Sequence, residues 1–168
     1  MADVHAEFDR EIARSQALNQ EERWDDALAV VAALVERYPE EPRAHFAYAG
    51  VLDFQGREAE AVAPYRRAQE LGLSGDDLPR FYVQLGSTLR NVGEAWEAVH
   101  LLEEGRQVFP EHAAIRVFHA LALASAECGN EAAVELLDLI LANAAAIDLD
   151  GYERALRQYT DVLRAGLE

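Results

Sequence analysis

The residues of this chain that could do chemistry are five histidines, one cysteine and several adjacent acidic pairs. The histidines are His5, His45, His100, His112 and His119. His112 and His119 are seven residues apart and share a helix face if one helix holds both. A zinc site needs partners at set spacing, and no Cys or acidic residue supplies them. The expectation is satisfied or solvent-facing imidazole, with no metal. Cys128 directly precedes Gly129. A thiolate nucleophile needs a base, which the spacing does not provide, so a small buried hydrophobe is expected. Asp25-Asp26, Glu40-Glu41, Asp76-Asp77 and Glu103-Glu104 are neighbours in sequence. General acid–base work instead holds two carboxylates apart across a cleft. These pairs read as caps and solvated surface; Asp76-Asp77 before Leu78-Pro79 resembles an N-cap with Pro in the first turn. The 15 basic residues are all Arg, so neither a Schiff-base lysine nor a P-loop lysine exists. No glycine-rich phosphate loop and no G-x-S-x-G elbow is present. These residues propose no reaction and no cofactor.

Charge sets further limits. The 168 residues carry 31 acidic and 15 basic side chains, a net charge of −16. Such a surface repels phosphate backbones and anionic bilayers, so neither nucleic acid nor membrane is an expected partner. Asp3, Glu7, Asp9 and Glu11 rule out a signal-peptide reading of Met1 to Gln20. The most apolar stretch, Ala132 to Ile147, is broken by Glu135, Asp138 and Asn143, too polar to span a bilayer. The single Cys fits a reducing compartment, and the expected location is cytoplasmic.

The elements that must position these residues are helices. Apolar residues recur at three- and four-residue steps between short Gly, Pro or acidic breaks, and alternating strand patterns are missing. Nine helices are expected, near 5–18, 22–37, 42–55, 58–71, 78–91, 94–108, 112–127, 130–145 and 148–165. Gly56, Gly93 and Gly129 follow one another at intervals of 37 and 36 residues, each between two helices. That is a helix–turn–helix repeat. Around Gly93, Tyr82, Leu85, Gly86 and Leu89 are followed by Ala98, Leu102 and Pro110. Small Gly86 and Ala98 let paired helices approach, and the large residues fill the space beside them. The second unit keeps His45, Tyr48, Ala49, Leu52, Ala61, Tyr65 and Leu73 at the same offsets. The first keeps Leu18, Ala27, Val31 and Pro39. The fourth reads as Phe118, Leu121 and Ala122, followed by Ala133 and Leu137 after a one-residue slip.

This pattern resembles the tetratricopeptide repeat. Leu71-Gly72-Leu73-Ser74-Gly75, Gln84 to Asn91 and Arg116-Val117-Phe118 narrow the resemblance to the bacterial tetratricopeptide repeat group 5 family, from about Glu41 to Asn143. The resemblance implies an all-α, right-handed α-solenoid of four antiparallel helix pairs plus a C-terminal capping helix. One domain, 1–168, would hold repeats near 5–40, 41–77, 78–111 and 112–147, with the cap at 148–168. It further implies a protein-interaction module rather than an enzyme, with partners lying in a concave groove. By position, that groove holds Arg43, Phe46, Ala47, Gly50, Asp53 and Phe54 in the second unit. In the third it holds Arg80, Val83, Gln84, Ser87, Arg90 and Asn91, and in the fourth Arg116, His119, Ala120 and Leu123. Arg43, Arg80 and Arg116 recur at one place and suit an acidic peptide or a C-terminal carboxylate. The competing reading pairs them locally with Glu40 and Glu41, Asp76 and Asp77, and Glu111. Phe46 and Phe54 are core residues or, if exposed, anchors for a partner.

The eighth helix is apolar on more than one side. The seventh helix would cover one side and the ninth another, through Tyr152, Leu156 and Tyr159. Any remainder would be buried by a second copy, giving a twofold homodimer. A small-ligand regulator is the remaining alternative.

Overall fold

The computed structural model describes residues 2–167, with side chains described from Ala6 onward; the His5 side chain lies outside the described residues. Among the described residues the backbone forms nine helices and no strand. They are α1 (Ala2–Gln20), α2 (Trp24–Arg37), α3 (Pro42–Phe54), α4 (Glu58–Glu70), α5 (Asp77–Asn91), α6 (Ala95–Val108), α7 (Ala113–Ser125), α8 (Gly129–Ala142) and α9 (Glu153–Ala165). The expected all-α repeat fold is what the chain adopts. It divides within α5 into two compact units, Met1–Thr88 and Leu89–Glu168.

The repeat is written in the backbone of four turns. Arg23, Arg57, Glu94 and Cys128 each donate their N–H to the carbonyl of Leu18, Leu52, Leu89 or Leu123, five residues earlier, at 2.8–2.9 Å. The residue before each donor is left-handed: Glu22 at φ 59°, Gly56 at 72°, Gly93 at 91° and Glu127 at 65°. This is a helix C-cap that satisfies otherwise orphaned carbonyls, and glycine takes it without strain. Nine residues after each of the four leucines stands an alanine: Ala27, Ala61, Ala98 and Ala132, at 0%, 0%, 0% and 6% exposure. These small side chains are the positions at which paired helices can come close.

The four-turn register corrects the fourth repeat. Gly129 is not its turn residue; it opens α8 with ordinary φ, and Glu127 occupies the left-handed place. The equivalents of Leu85, Leu89 and Ala98 are therefore His119, Leu123 and Ala132, two residues earlier than a reading that sets Leu121 opposite Leu85. Two further boundaries move. α8 stops at Ala142, where Asn143 Nδ2 donates to the Leu139 carbonyl at 2.8 Å and the chain leaves the helix. α9 starts only at Glu153, because Asp150 and Gly151 are left-handed and Asp148 Oδ1 accepts the Asp150 N–H at 2.9 Å.

In the first unit α1 packs on α2, α3 on α4, and α3 against both α1 and α2. Phe8, Leu34 and Ala44 form one buried cluster and Leu18, Ala27, Val31 and Val51 another. Phe46, Tyr65 and Phe81 meet as a buried aromatic trio, with ring centroids 5.9–6.4 Å apart. In the second unit α6, α7, α8 and α9 pack in succession. The outer tyrosines of α9 do not cover α8 as expected: Tyr152 and Tyr159 are 65% and 63% exposed. The helix is rotated so that Thr160 is buried, which is tolerated because its hydroxyl donates to the Leu156 carbonyl at 2.8 Å. Arg164 to Asp138, at 2.8 Å, ties α9 to α8 in that orientation.

Candidate functional site

Three first helices of the repeats build a cleft in the first unit. α1 contributes Asp9, Ile12 and Gln16, α3 contributes Arg43, Phe46, Gly50 and Phe54, and α5 contributes Asp77, Arg80 and Gln84. Its volume is about 550 Å³. One end is ionic and the other aromatic, because Arg43 and Phe54 lie at opposite ends of α3, about 16 Å apart at 1.5 Å per residue.

At the ionic end Arg43 is spoken for. Its Nη2 donates to Asp9 at 2.8 Å and its Nε to Asp77 at 3.2 Å, and the guanidinium lies 5.3 Å from the Phe8 ring centre. Burial works against its charge, but those two carboxylates prevail and raise its pKa above the usual value. Glu41 caps α3 by accepting the Arg43 N–H at 3.3 Å. Arg80 differs. It is 56% exposed at the side chain and, among the described residues, pairs only with Asp77, at a long 3.5 Å. Most of its donor fork is open to the cleft.

At the aromatic end Phe54 is 60% exposed and lies 6.1 Å from Trp24, itself 40% exposed. Phe46, by contrast, lines the cleft but is 7% exposed. Beneath the middle, the Tyr65 hydroxyl lies 3.2 Å from Asp53 Oδ2 and 3.3 Å from Gln84 Oε1. Burial raises the pKa of Asp53, against the lowering effect of hydrogen bonds from Thr88 and Tyr65, and burial likewise pushes the Tyr65 phenol up.

The remaining expected site residues are placed as follows. Val83 and Ser87 are half-buried on α5 and do not line the cleft. Asn91 is exposed, and Arg90 Nε is buried without a hydrogen-bond partner among the described residues. Arg116 and His119 are not groove residues. Arg116 Nε donates to Glu135 of α8 at 2.7 Å, and Arg106 Nη1 donates to the other oxygen at 2.9 Å. His119 is 6% exposed, 3.7 Å from Glu103, and its pKa is lowered by burial and then by the charge of Arg106. The two-residue shift of register explains both: it moves Arg116 and His119 from the outer stripe to packed positions. Of the expected local pairs only Arg80–Asp77 forms among the described residues; Arg43 pairs with Asp9 and Asp77 and Arg116 with Glu135, all on other helices.

The other candidates are held by backbone contacts. His112 caps α7 by accepting the Ile115 N–H at Nδ1, 3.4 Å away, and His45 Nε2 donates to the Pro39 carbonyl at 2.8 Å. The half-buried Cys128 thiol donates to the Ala126 carbonyl at 3.6 Å. Among the described residues no cluster of His, Cys, Asp or Glu could hold a metal ion, and no helix is long and apolar enough to cross a membrane. Sequence reasoning placed Gly50 in the groove but missed Asp9; the offset of Asp9 from Leu18, equal to that of Arg43 from Leu52, could have found it.

Repeated helix pairs closed by one recurrent turn define a helical-repeat interaction scaffold. The family model described as Tetratrico peptide repeat matches residues 42–163, and the chain belongs to the tetratricopeptide repeat family. A putative kinesin light chain of Podospora anserina with nearly identical TPR-like repeats superposes with a TM-score of 0.73 at 16% identity, over 96% of this chain and 97% of that one. YrrB, a TPR protein with an unusual peptide-binding site, gives 0.66 at 14% identity, over 92% and 85%. PilF of Pseudomonas aeruginosa gives 0.63 at 20% identity, over 94% and 75%. These likenesses are of fold. No curated protein sequence matches the chain. Proteins of this family generally mediate protein–protein interaction.

Proposed function

We propose that this chain is a non-enzymatic interaction module that holds a segment of a partner protein in the α1–α3–α5 cleft. The observation that carries the reading is the contrast between the two arginines at its ionic end. Arg43 is consumed by Asp9 and Asp77, whereas Arg80 presents an open donor fork on a chain of net charge −16. A planar fork takes a carboxylate in two parallel hydrogen bonds, so the segment offers an acidic side chain or a C-terminal carboxylate there. Peptides with free C-termini selected on the full chain test this. Arg80→Glu, amidation of the peptide C-terminus and added salt are each expected to weaken binding. Peptides that bind the Arg80→Glu chain undiminished place the site elsewhere.

A second reading, self-association, is favoured by one feature of the second unit. Tyr152, Tyr159 and Val162 form an exposed apolar row along α9, at 63–65% exposure. Light scattering across a micromolar dilution series decides it: a mass near 18.6 kDa throughout excludes the dimer.

A further inference from the structure

Gly50 is out of place on grounds of folding alone. It lies in the interior of α3, where glycine weakens a helix relative to alanine. A turn would explain it, but its φ is not left-handed. Close packing would explain it, but a Cβ built there meets only Gln84 Oε1, at 4.0 Å, which is loose contact. What the missing side chain does instead is keep the middle of the cleft open, because Gly50 lines it between the ionic and aromatic ends. Directly across stands the Gln84 carboxamide. Among the described residues its side-chain partner is the Tyr65 hydroxyl, which donates one proton shared between Gln84 Oε1 and Asp53 Oδ2 and leaves Nε2 unengaged. The Gln84 amide therefore keeps a free hydrogen-bonding end in the cleft.

We infer that Gly50 is the crossing point of the bound segment: an extended peptide passes its main chain over α3 there and pairs a peptide group with Gln84. The inference rests on the cleft reading above and gives its ligand a form. The carboxylate sits at Arg80 and an apolar side chain lies against Phe54. Arg80 and Arg43 both contact Asp77, so the reach from Arg80 to Phe54 is taken as the span of about 16 Å from Arg43 to Phe54 along α3, about five residues of extended chain. The partner motif is an apolar residue about five positions before a C-terminal or side-chain carboxylate.

The test uses the full chain, random heptapeptides with free C-termini, and the variants Gly50→Ala and Gly50→Leu. Gly50→Ala is expected to raise Tm by about 2–4 °C, the response to gaining roughly 1 kcal/mol in a chain of this size. Gly50→Leu is expected to fold and to bind the selected peptides at least tenfold more weakly. The enriched sequences are expected to carry the apolar residue at the stated spacing. A Gly50→Leu chain that binds as well as wild type overturns the inference while leaving the cleft reading intact. A lowered Tm for Gly50→Ala overturns it too, by showing that packing requires the glycine. Should Gly50→Leu fail to fold, the Gly50→Ala melt and the spacing in the enriched peptides still decide. If no peptide is enriched, the cleft reading itself fails, and this inference with it.

Discussion

Changing Arg116 to Glu separates a folding arginine from a binding one. Arg116 is 16% exposed at the side chain and Glu135 is 8% exposed, with Arg106 as the second cation on the same carboxylate. Removing the only partner of a buried charge costs about 3–5 kcal/mol. Arg106 remains, so Arg116→Ala should cost less, about 2 kcal/mol. Arg116→Glu adds a second carboxylate at hydrogen-bond distance, and like charges at about 4 Å repel by roughly 4 kcal/mol at the effective dielectric of a protein surface. Side-chain movement and proton uptake relieve part of this, leaving about 4 kcal/mol expected in total. Against a typical domain stability of about 5–15 kcal/mol, that is a crippling change. Arg80→Glu, at 56% exposure with one 3.5 Å contact, should stay within about 1 kcal/mol of wild type. Urea titration followed by far-UV circular dichroism measures both. The charge-free pair Arg116→Met with Glu135→Leu should recover most of the loss, because Arg106 keeps Glu103 at 2.8 Å. If Arg116→Glu unfolds within 1 kcal/mol of wild type, the Glu135 bridge is not a buried interaction and the reasoning fails. A triple Arg43, Arg80 and Arg116→Glu chain would confuse unfolding with lost binding, so single variants are needed.

His119 should make stability fall as pH drops below about 6.5. Its folded pKa is lowered by burial, so its contribution is complete above the unfolded value of about 6.5 and is lost as pH falls toward the folded pKa. His119→Phe should flatten that slope in thermal melts and remove a buried Nδ1 that has no hydrogen-bond partner. Asp53 runs the other way: burial raises its folded pKa, so the charged form is penalised at neutral pH and the penalty fades as pH falls. Asp53→Asn should therefore raise Tm at pH 7, with the gain shrinking in acid. Glu127→Gly should stabilise by about 0.5–1 kcal/mol in urea, because a left-handed glutamate is strained where Gly56 and Gly93 are not.

The repeat was legible in the sequence wherever its signal was a residue type that the turn or the seam demands. Gly56 and Gly93 mark left-handed caps, and Ala27, Ala61 and Ala98 mark the small positions, all at 0% exposure. The fourth repeat was misread for the same reason. Its cap is a glutamate, and a glycine that the turn does not need stands two residues later. Backbone geometry does not have to advertise itself in a side chain: a non-glycine residue can occupy the left-handed region at a modest cost.

The site was half legible. Arg43, Arg80 and Phe54 stand where the repeat offsets put them, because the second and third registers were right. Which arginine is free was not legible, since that depends on Asp9, 34 residues before Arg43, and on the shared Asp77. Charge pairs between helices are set by side-chain reach across a packed seam, which no spacing within one helix reveals. Arg116 shows the consequence most sharply. Two residues of register turned it from the outer stripe onto the buried Glu135, and a residue of the same type became a half-buried partner in a packed seam. In a helical repeat the offset from the turn decides what an arginine does, and its chemistry decides only how tightly it does it.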